Sequence, residues 1–189
     1  MRNRITIRKI EYICIFLLLL LGSFLISCFG SSTLNFTLKE TRVKQASEVL
    51  IDAYPHYFEL PFTLIVFVDT SPCGGNLVET KWWRVWQNFM RDSECGFVFA
   101  TSRVDSTDIV VAAQLDSVDA PVLVIPGFDN SLKDLKIPNG GMPLKLIVNS
   151  TGEIKSAWAP IRTSEANGTM LTKLDSLINQ NMALDKPVK

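Results

Sequence analysis

The chain has 189 residues with 19 basic and 19 acidic side chains, so its formal net charge is zero. This balance excludes a general nucleic-acid-binding protein, which needs an excess of basic residues to contact phosphates. The single histidine and the four scattered cysteines form no cluster with the spacing of zinc ligands, and no metal or other cofactor is expected.

The N-terminal segment combines a basic start with a long apolar stretch. Arg2, Arg4, Arg8 and Lys9 precede an almost uncharged run over residues 12–30. A basic segment before an apolar core is the pattern of an export signal, and this run is also long enough to cross a bilayer as an uncleaved anchor. A plain secretory signal is the third possibility. Each of them predicts that the remaining chain lies outside the cytoplasm.

Residues 25–28, LISC, resemble the lipobox of bacterial lipoproteins. In that motif the signal is cleaved before the cysteine, which is then acylated, so Cys28 is a candidate lipidation site. The resemblance favours a cleaved signal peptide over residues 1–27, with the retained helix anchor as the alternative. It implies a protein of the bacterial cell envelope that faces the periplasm and is attached to the membrane.

After this segment, residues 28–37 are predicted to be a polar spacer and residues 38–189 a single domain. A domain of this length buries enough surface to be stable without a disulfide framework.

The first half of the domain predicts two helices around a buried strand. Residues 62–69, FTLIVFVD, are a continuous β-branched and aromatic run, which is typical of a central strand covered on both faces. The apolar face of a helix over residues 38–54 is predicted to consist of Val43, Ala46, Val49, Leu50 and Ala53. A helix from Leu77 is predicted to pack Val78, Trp82, Val85 or Trp86, and Phe89 on the sheet, with a tryptophan-lined ligand site as the alternative.

The second half predicts three more strand regions and two helices. Residues 95–105 and 120–127 indicate strands, and Asp105 or Ser106 is expected to cap a helix that ends near Val118. Residues 142–160 indicate a hairpin with its turn at Asn149–Gly152. A closing helix over residues 164–183 completes an α/β fold with early parallel strands and a late antiparallel hairpin.

Three landmarks between residues 60 and 180 occur in a distinctive order. The run LIVFVDTSPCGGN, residues 64–76, leads from the buried strand through Cys73 to a helix, and GMPLKLIVNSTGEI, residues 141–154, places Met142–Pro143 before the hairpin. The elements between and after them complete the pattern. Together they resemble the thioredoxin-like superfamily, and more narrowly the membrane-tethered extracytoplasmic thiol-disulfide oxidoreductases and redoxins of bacteria. The resemblance implies a central mixed sheet flanked by helices.

The resemblance also implies roles for individual residues. Cys73 matches the attacking cysteine. Pro143 matches the family's cis-proline, and the backbone of Met142 would bind a substrate peptide beside the sulfur. A cis Met142–Pro143 bond is therefore expected.

The residues around Cys73 complete the predicted substrate site, which includes Pro72, Gly74, Gly75 and Asn76. The glycines allow close approach to the sulfur. Asn76 stands where the family has its resolving cysteine. A monothiol of this kind would form a mixed disulfide and wait for an external thiol to release it.

Cys95 is not expected to replace the missing partner. The predicted helix between the two cysteines has about fifteen residues and is roughly 22 Å long, whereas bridged cysteines have Cα atoms within about 7 Å. Cys95 is predicted to be a small buried residue.

Two main functions are consistent with these residues. The first is thiol-disulfide exchange with exported proteins that bear thiols or disulfides, and the second is a redox-inactive binding protein on the same fold. Asp69 and Glu79 flank the cysteine region and are candidates for proton transfer.

A one-cysteine peroxiredoxin-like peroxidase is a third hypothesis. The sequence TSPC places Thr70 three residues before Cys73, as in that family. The family's proline is here Val66, and only Arg103 or Arg162 can be suggested for the arginine that polarises the peroxide.

Overall fold

The computed structural model describes residues 42–70, 75–130, 132–135 and 142–184. Within these residues helices cover a five-stranded sheet on both faces. The helices are α1 (Arg42–Ala53), α2 (Gly75–Asp92), α3 (Ser106–Leu115) and α4 (Ser164–Leu184), and the strands are β1 (Phe62–Phe67), β2 (Gly96–Thr101), β3 (Val122–Val124), β4 (Leu144–Asn149) and β5 (Ile154–Trp158). Two short 3-10 helices occupy Pro55–Tyr57 and Leu132–Leu135.

The sheet has the strand order β3-β2-β1-β4-β5. β1 pairs in parallel with β2, and β2 in parallel with β3, whereas β4 runs antiparallel to both β1 and β5. This arrangement is the central mixed sheet flanked by helices that the sequence predicted. β1, β2 and β3 are connected to one another through helices and therefore run parallel. β4 and β5 are joined by a turn and must run antiparallel.

β1 is the central strand, and all six of its residues are buried. Leu64 and Val66 belong to the core that includes α2 and α4, while Ile65 and Phe67 belong to the core that includes α1. Successive side chains of a strand point to opposite faces, so a strand covered on both faces is apolar throughout. The prediction for this segment is confirmed, with the strand ending two residues earlier.

The apolar stripe of α1 is narrower than predicted. Val43, Ala46 and Leu50 are buried as expected, but Val49 is 42% exposed and Ala53 is exposed as well. The other buried residue of α1 is Ser47, whose hydroxyl donates a hydrogen bond to the carbonyl of Lys44 at 2.8 Å. The predicted residues 38–41 of this helix lie outside the described residues.

The buried face of α2 is shifted relative to the prediction. Glu79, Trp83, Trp86 and Met90 are buried at alternating spacings of four and three residues, which is one helical stripe. Of the predicted alternatives Val85 and Trp86, the structure buries Trp86, whereas Val85 is 41% exposed. Trp82 and Phe89 pack only partly against the core.

Trp83 and Trp86 of α2 contribute to packing. For these two residues this confirms the predicted packing of the helix on the sheet, and not the alternative of a tryptophan-lined ligand site. The ring of Trp83 lies 4.6 Å from that of Phe99 between centroids. The indole N–H of Trp86 donates to Oδ1 of Asn167 on α4 at 2.6 Å. This bond ties the two helices on one face of the sheet together.

The remaining elements follow the predicted order with shorter bounds. β2 and β3 are shorter than the predicted strands, and α3 ends at Leu115 instead of near Val118. The hairpin turn is confirmed: Gly152 has a φ of 78°, and Oδ1 of Asn149 accepts hydrogen bonds from the amides of Thr151 and Glu153. An asparagine side chain that binds amides further along the chain stabilises a tight turn.

The predicted signal peptide over residues 1–27, the spacer over residues 28–37 and the lipidation site Cys28 all lie outside the described residues. Among the helices that the structure does describe, none is both long and apolar enough to span a bilayer.

Candidate functional site

The candidate site lies where the carboxyl end of β1 meets the amino end of β4. The antiparallel register pairs Phe67 with Leu144, so the chain leaves β1 beside the residues that lead into β4. The Met142–Pro143 peptide bond is cis, as predicted. Pro143 is buried and Met142 is partly exposed.

The chain passes from β1 to α2 at this same edge. Thr70 is the last residue described before α2, which begins at Gly75. Gly75 and Asn76 therefore lie in the first turn of the helix, which begins two residues before the predicted start at Leu77. The predicted site residues Pro72, Cys73 and Gly74 lie outside the described residues, as does the side chain of Asn76.

A buried ion pair lies directly behind the residues that precede β4. Nζ of Lys145 is 2.7 Å from Oε1 of Glu79 on α2, and neither side chain has exposed surface. The same ammonium donates a second hydrogen bond to the carbonyl oxygen of Pro143 at 3.2 Å, and it lies 5.5 Å from the centre of the Trp86 ring. Oε1 of Glu79 also accepts the backbone N–H of Ile161.

Burial shifts the pKa values of both members of the pair toward their neutral forms. Desolvation raises the pKa of Glu79, although the charge and hydrogen bond of Lys145, the Ile161 amide and the charge of Arg162 oppose the change. Desolvation lowers the pKa of Lys145 to about 8, against the charge and hydrogen bond of Glu79. At neutral pH the lysine is therefore mainly protonated and remains a donor to the Pro143 carbonyl.

The second carboxylate oxygen of Glu79 is not matched within the described part of the chain. Oε2 is buried and has no hydrogen-bond partner there. Buried carboxylate oxygens are normally hydrogen-bonded, so this unmatched oxygen is unusual. Glu79 was a sequence candidate for proton transfer, and the structure places it in a charge pair.

A second polar cluster joins the carboxyl ends of β1 and β2. The carboxylate of Asp105 accepts hydrogen bonds from the hydroxyls of Thr70 and Ser102, the latter at 2.6 Å. Asp105, which the sequence suggested as a cap with Ser106 as the alternative, occupies the N-cap position of α3, but its side chain makes no cap bond. Its oxygens are engaged by the two hydroxyls instead. Asp105 therefore holds Thr70, three residues before Cys73.

The other candidates from the sequence are a cysteine at the opposite end of the sheet, an arginine in a surface ion pair and an aspartate buried after β1. Cys95 is buried as predicted, with Sγ 3.3 Å from the carbonyl oxygen of Ser93, and burial raises the pKa of its thiol. It precedes the amino end of β2, opposite to the end at which Thr70 lies. Arg103 pairs with Asp129 at 3.2 Å on the surface. Asp69 is buried after β1.

Two residues of the site were not identified from the sequence. Lys145 was included in an apolar strand, and Ser102 was given no role. The lysine inside PLKLIVN could have predicted a buried ion pair, because a charge in a strand that is covered on both faces requires a buried partner. The sequence does not show which carboxylate supplies it.

The described residues contain no group of three or more His, Cys, Asp or Glu side chains that is placed to hold a metal ion. At this edge Glu79 is paired with Lys145, and Asp105 is hydrogen-bonded to Thr70 and Ser102.

No protein-family model matches the sequence, and no curated protein matches it either. Solved structures with a similar fold exist. A putative thiol:disulfide interchange protein DsbE from Chlorobium tepidum is 14% identical, with a TM-score of 0.49 over 65% of this chain and 84% of that chain. A thiol:disulfide interchange protein from Bacteroides sp. is 16% identical, with a TM-score of 0.47 over 65% and 76%. A mutant of PrxQ from Xylella fastidiosa is 12% identical, with a TM-score of 0.48 over 65% and 80%. At such low identity the likeness concerns the fold alone.

Proposed function

We propose that this thioredoxin-like chain is an envelope-tethered protein that uses the single thiol of Cys73 for thiol-disulfide exchange with exported proteins. Either a lipid on Cys28 or an N-terminal helix would hold it at the membrane. The observation that carries the proposal is the pairing of Phe67 with Leu144, which brings the Met142–Pro143 segment to the edge of the sheet where the chain continues from β1 toward Cys73.

The start of α2 supports a reactive thiolate. The unpaired N–H groups at a helix N-terminus and the helix dipole favour a nearby negative charge. The first turn of α2 contains no acidic residue that would oppose this effect. The first carboxylate of the helix is that of Glu79, and Lys145 balances its charge.

The exchange step needs only the thiol and a substrate disulfide. The Cys73 thiolate attacks one sulfur of the substrate, its bond to the second sulfur breaks, and that sulfur leaves as a thiolate and takes a proton from water. Cys73 is then oxidised to a mixed disulfide, and half of the substrate disulfide has been reduced. An external thiolate then attacks the substrate sulfur of the mixed disulfide, forms a disulfide with the substrate, and displaces Cys73 as a thiolate.

The first experiment measures the alkylation of Cys73 in the full chain in membranes, with each cysteine identified by peptide mass spectrometry. We expect Cys73 to react at pH 7 clearly faster than an unperturbed thiol with a pKa near 8.5. Cys95 is the internal control: it should react only after denaturation, because it is buried. Labelling of Cys73 no faster than that of a free thiol would contradict the proposal.

A trapping experiment then separates exchange from simple binding. The full chain is isolated from bacterial membranes after acid quenching and without reductant, in wild-type and Cys73→Ser forms. Disulfide-linked partners that are present only in the wild type support exchange. Equal recovery of the same partners with both forms would indicate the redox-inactive binding protein. Sulfenic acid on Cys73 after sub-stoichiometric peroxide would instead indicate the peroxidase.

A further inference from the structure

Lys145 links three parts of the protein through one buried ammonium group. It lies on β4, donates to Glu79 on α2, and donates back to the carbonyl of Pro143 two residues earlier. Glu79 in turn accepts the amide of Ile161, which follows β5. The carbonyl of Pro143 is thus connected through two side chains to the helix that begins after Cys73.

We infer that Lys145 is a positioning residue, which holds residues 142–144 against α2 so that their backbone can bind a substrate peptide. This inference rests on the proposed function, since it assigns the peptide to the Met142–Pro143 segment. Lys145 acts through Pro143 and has no surface with which to contact a substrate itself.

The energetics of the pair favour a positioning role over a stabilising one. A buried ion pair loses much solvation, and well-packed apolar residues often replace such a pair without loss of stability. Here the neighbours of Lys145 along β4 are buried apolar residues, so an apolar side chain would fit the pattern of the strand. What an apolar residue does not provide is a donor to the Pro143 carbonyl.

The charge and hydrogen bond of Glu79 oppose the loss of solvation, so the ammonium is mainly protonated near neutral pH. Glu79 contacts it directly from α2, the ring of Trp86 faces it from the same helix, and Arg162 acts on Glu79 from the segment after β5. Because the pKa of Lys145 is about 8, its donation to Pro143 should weaken above that pH.

The test compares two disulfide probes that release the same chromophore. One is dithiobis-nitrobenzoate, a small aromatic disulfide without peptide groups, and the other is a short glycine-serine peptide whose cysteine carries the same nitrobenzoate thiol. The proteins are the full wild-type chain and the Glu79→Gln/Lys145→Met double variant, which removes both charges together. The rate of a Cys73→Ser chain is subtracted as the background of the other cysteines.

We expect the double variant to lose about tenfold in rate with the peptide probe, which corresponds to one hydrogen bond of ordinary strength. The rate with the small probe should change less than about twofold. Wild-type rates with both probes would overturn the inference. An equal loss with both probes would overturn it as well, because the effect would then lie on the thiol and not on peptide positioning.

A measurement on the wild-type chain tests the contact independently of Cys73 and of any variant. Pro143–Leu144 is the only Pro-Leu step in the sequence, so carbon-13 carbonyl labelling of proline with nitrogen-15 labelling of leucine yields one NMR signal. The Pro143 carbonyl shift should titrate with a midpoint of about 8, together with Lys145. A shift that is constant through this range would overturn the inference. A titrating signal in a chain that reacts with neither probe would instead show that the proposed function has failed.

Discussion

The ammonium of Lys145 lies 2.7 Å from Oε1 of Glu79, and the two residues are 66 positions apart in the chain. Both side chains are fully buried, so each depends on the other for a compensating charge. The pair bridges α2 and β4 behind the cis Met142–Pro143 bond.

Loss of one partner should be far more harmful than loss of both. Lys145→Met leaves the carboxylate of Glu79 buried without a counter-charge, and we expect the free energy of unfolding to fall by about 3–5 kcal/mol. In the Glu79→Gln/Lys145→Met variant most of this loss should be recovered. Urea denaturation at pH 7 measures both values. A single variant that loses less than about 1 kcal/mol would contradict the assignment of a buried charge pair.

The pair should also make stability depend on pH in two windows. Folding raises the pKa of Glu79 above 4.5, so its stabilising contribution is present below pH 4.5 and is lost as the pH rises through the folded value. Folding lowers the pKa of Lys145 from 10.5 to about 8, so the unfolded chain holds more protons between these values and stability rises with pH there.

The difference in unfolding free energy between the wild type and the Glu79→Gln/Lys145→Met variant isolates this effect from the other titrating groups. Between pH 8 and 10 we expect the free energy of unfolding of the wild type to rise, relative to that of the double variant, by about 1 kcal/mol per pH unit. Chemical denaturation over pH 6–10 gives the curve. A difference that is flat over this interval would show that the Lys145 pKa is not lowered.

Asp105 should matter more than its surface neighbour Asp108. Asp105→Ala removes the acceptor of the Thr70 and Ser102 hydroxyls, and the expected loss of unfolding free energy is about 2–3 kcal/mol. Asp108 lies exposed in the first turn of α3, and its replacement by alanine should cost no more than about 1 kcal/mol. Thermal and urea unfolding of the two variants provide the comparison, and equal losses would argue against the cluster.

Gly96 and Gly168 form a matched pair for testing the packing of the sheet. A Cβ on Gly96 would lie 2.6 Å from Oγ1 of Thr63 on β1, so Gly96→Ala should destabilise the protein by about 1–3 kcal/mol. A Cβ on Gly168 in α4 meets no atom within 4 Å, and Gly168→Ala should stabilise it by about 1 kcal/mol through helix propensity. Differential scanning calorimetry should show melting temperatures that move in opposite directions.

Several features of the fold were predictable because their cause is local. A continuous apolar run such as FTLIVFVD needs cover on both faces wherever it lies, and it forms the fully buried central strand β1. Asn149 and Gly152 form the hairpin turn through bonds within a few residues. The cis Met142–Pro143 bond was expected from the resemblance of its surroundings to a known family, and it is present.

What the sequence by itself determined was therefore the order of the elements, the central strand and the proline segment before the hairpin. Only the tertiary structure decided which polar residues meet at the edge of the sheet. Glu79 was a candidate for proton transfer and Asp105 a candidate cap, yet the first pairs with Lys145 and the second binds Thr70 and Ser102. Periodicity locates a helix but not its rotation to within one residue, and a buried charge finds its partner through packing between elements that are distant in the chain.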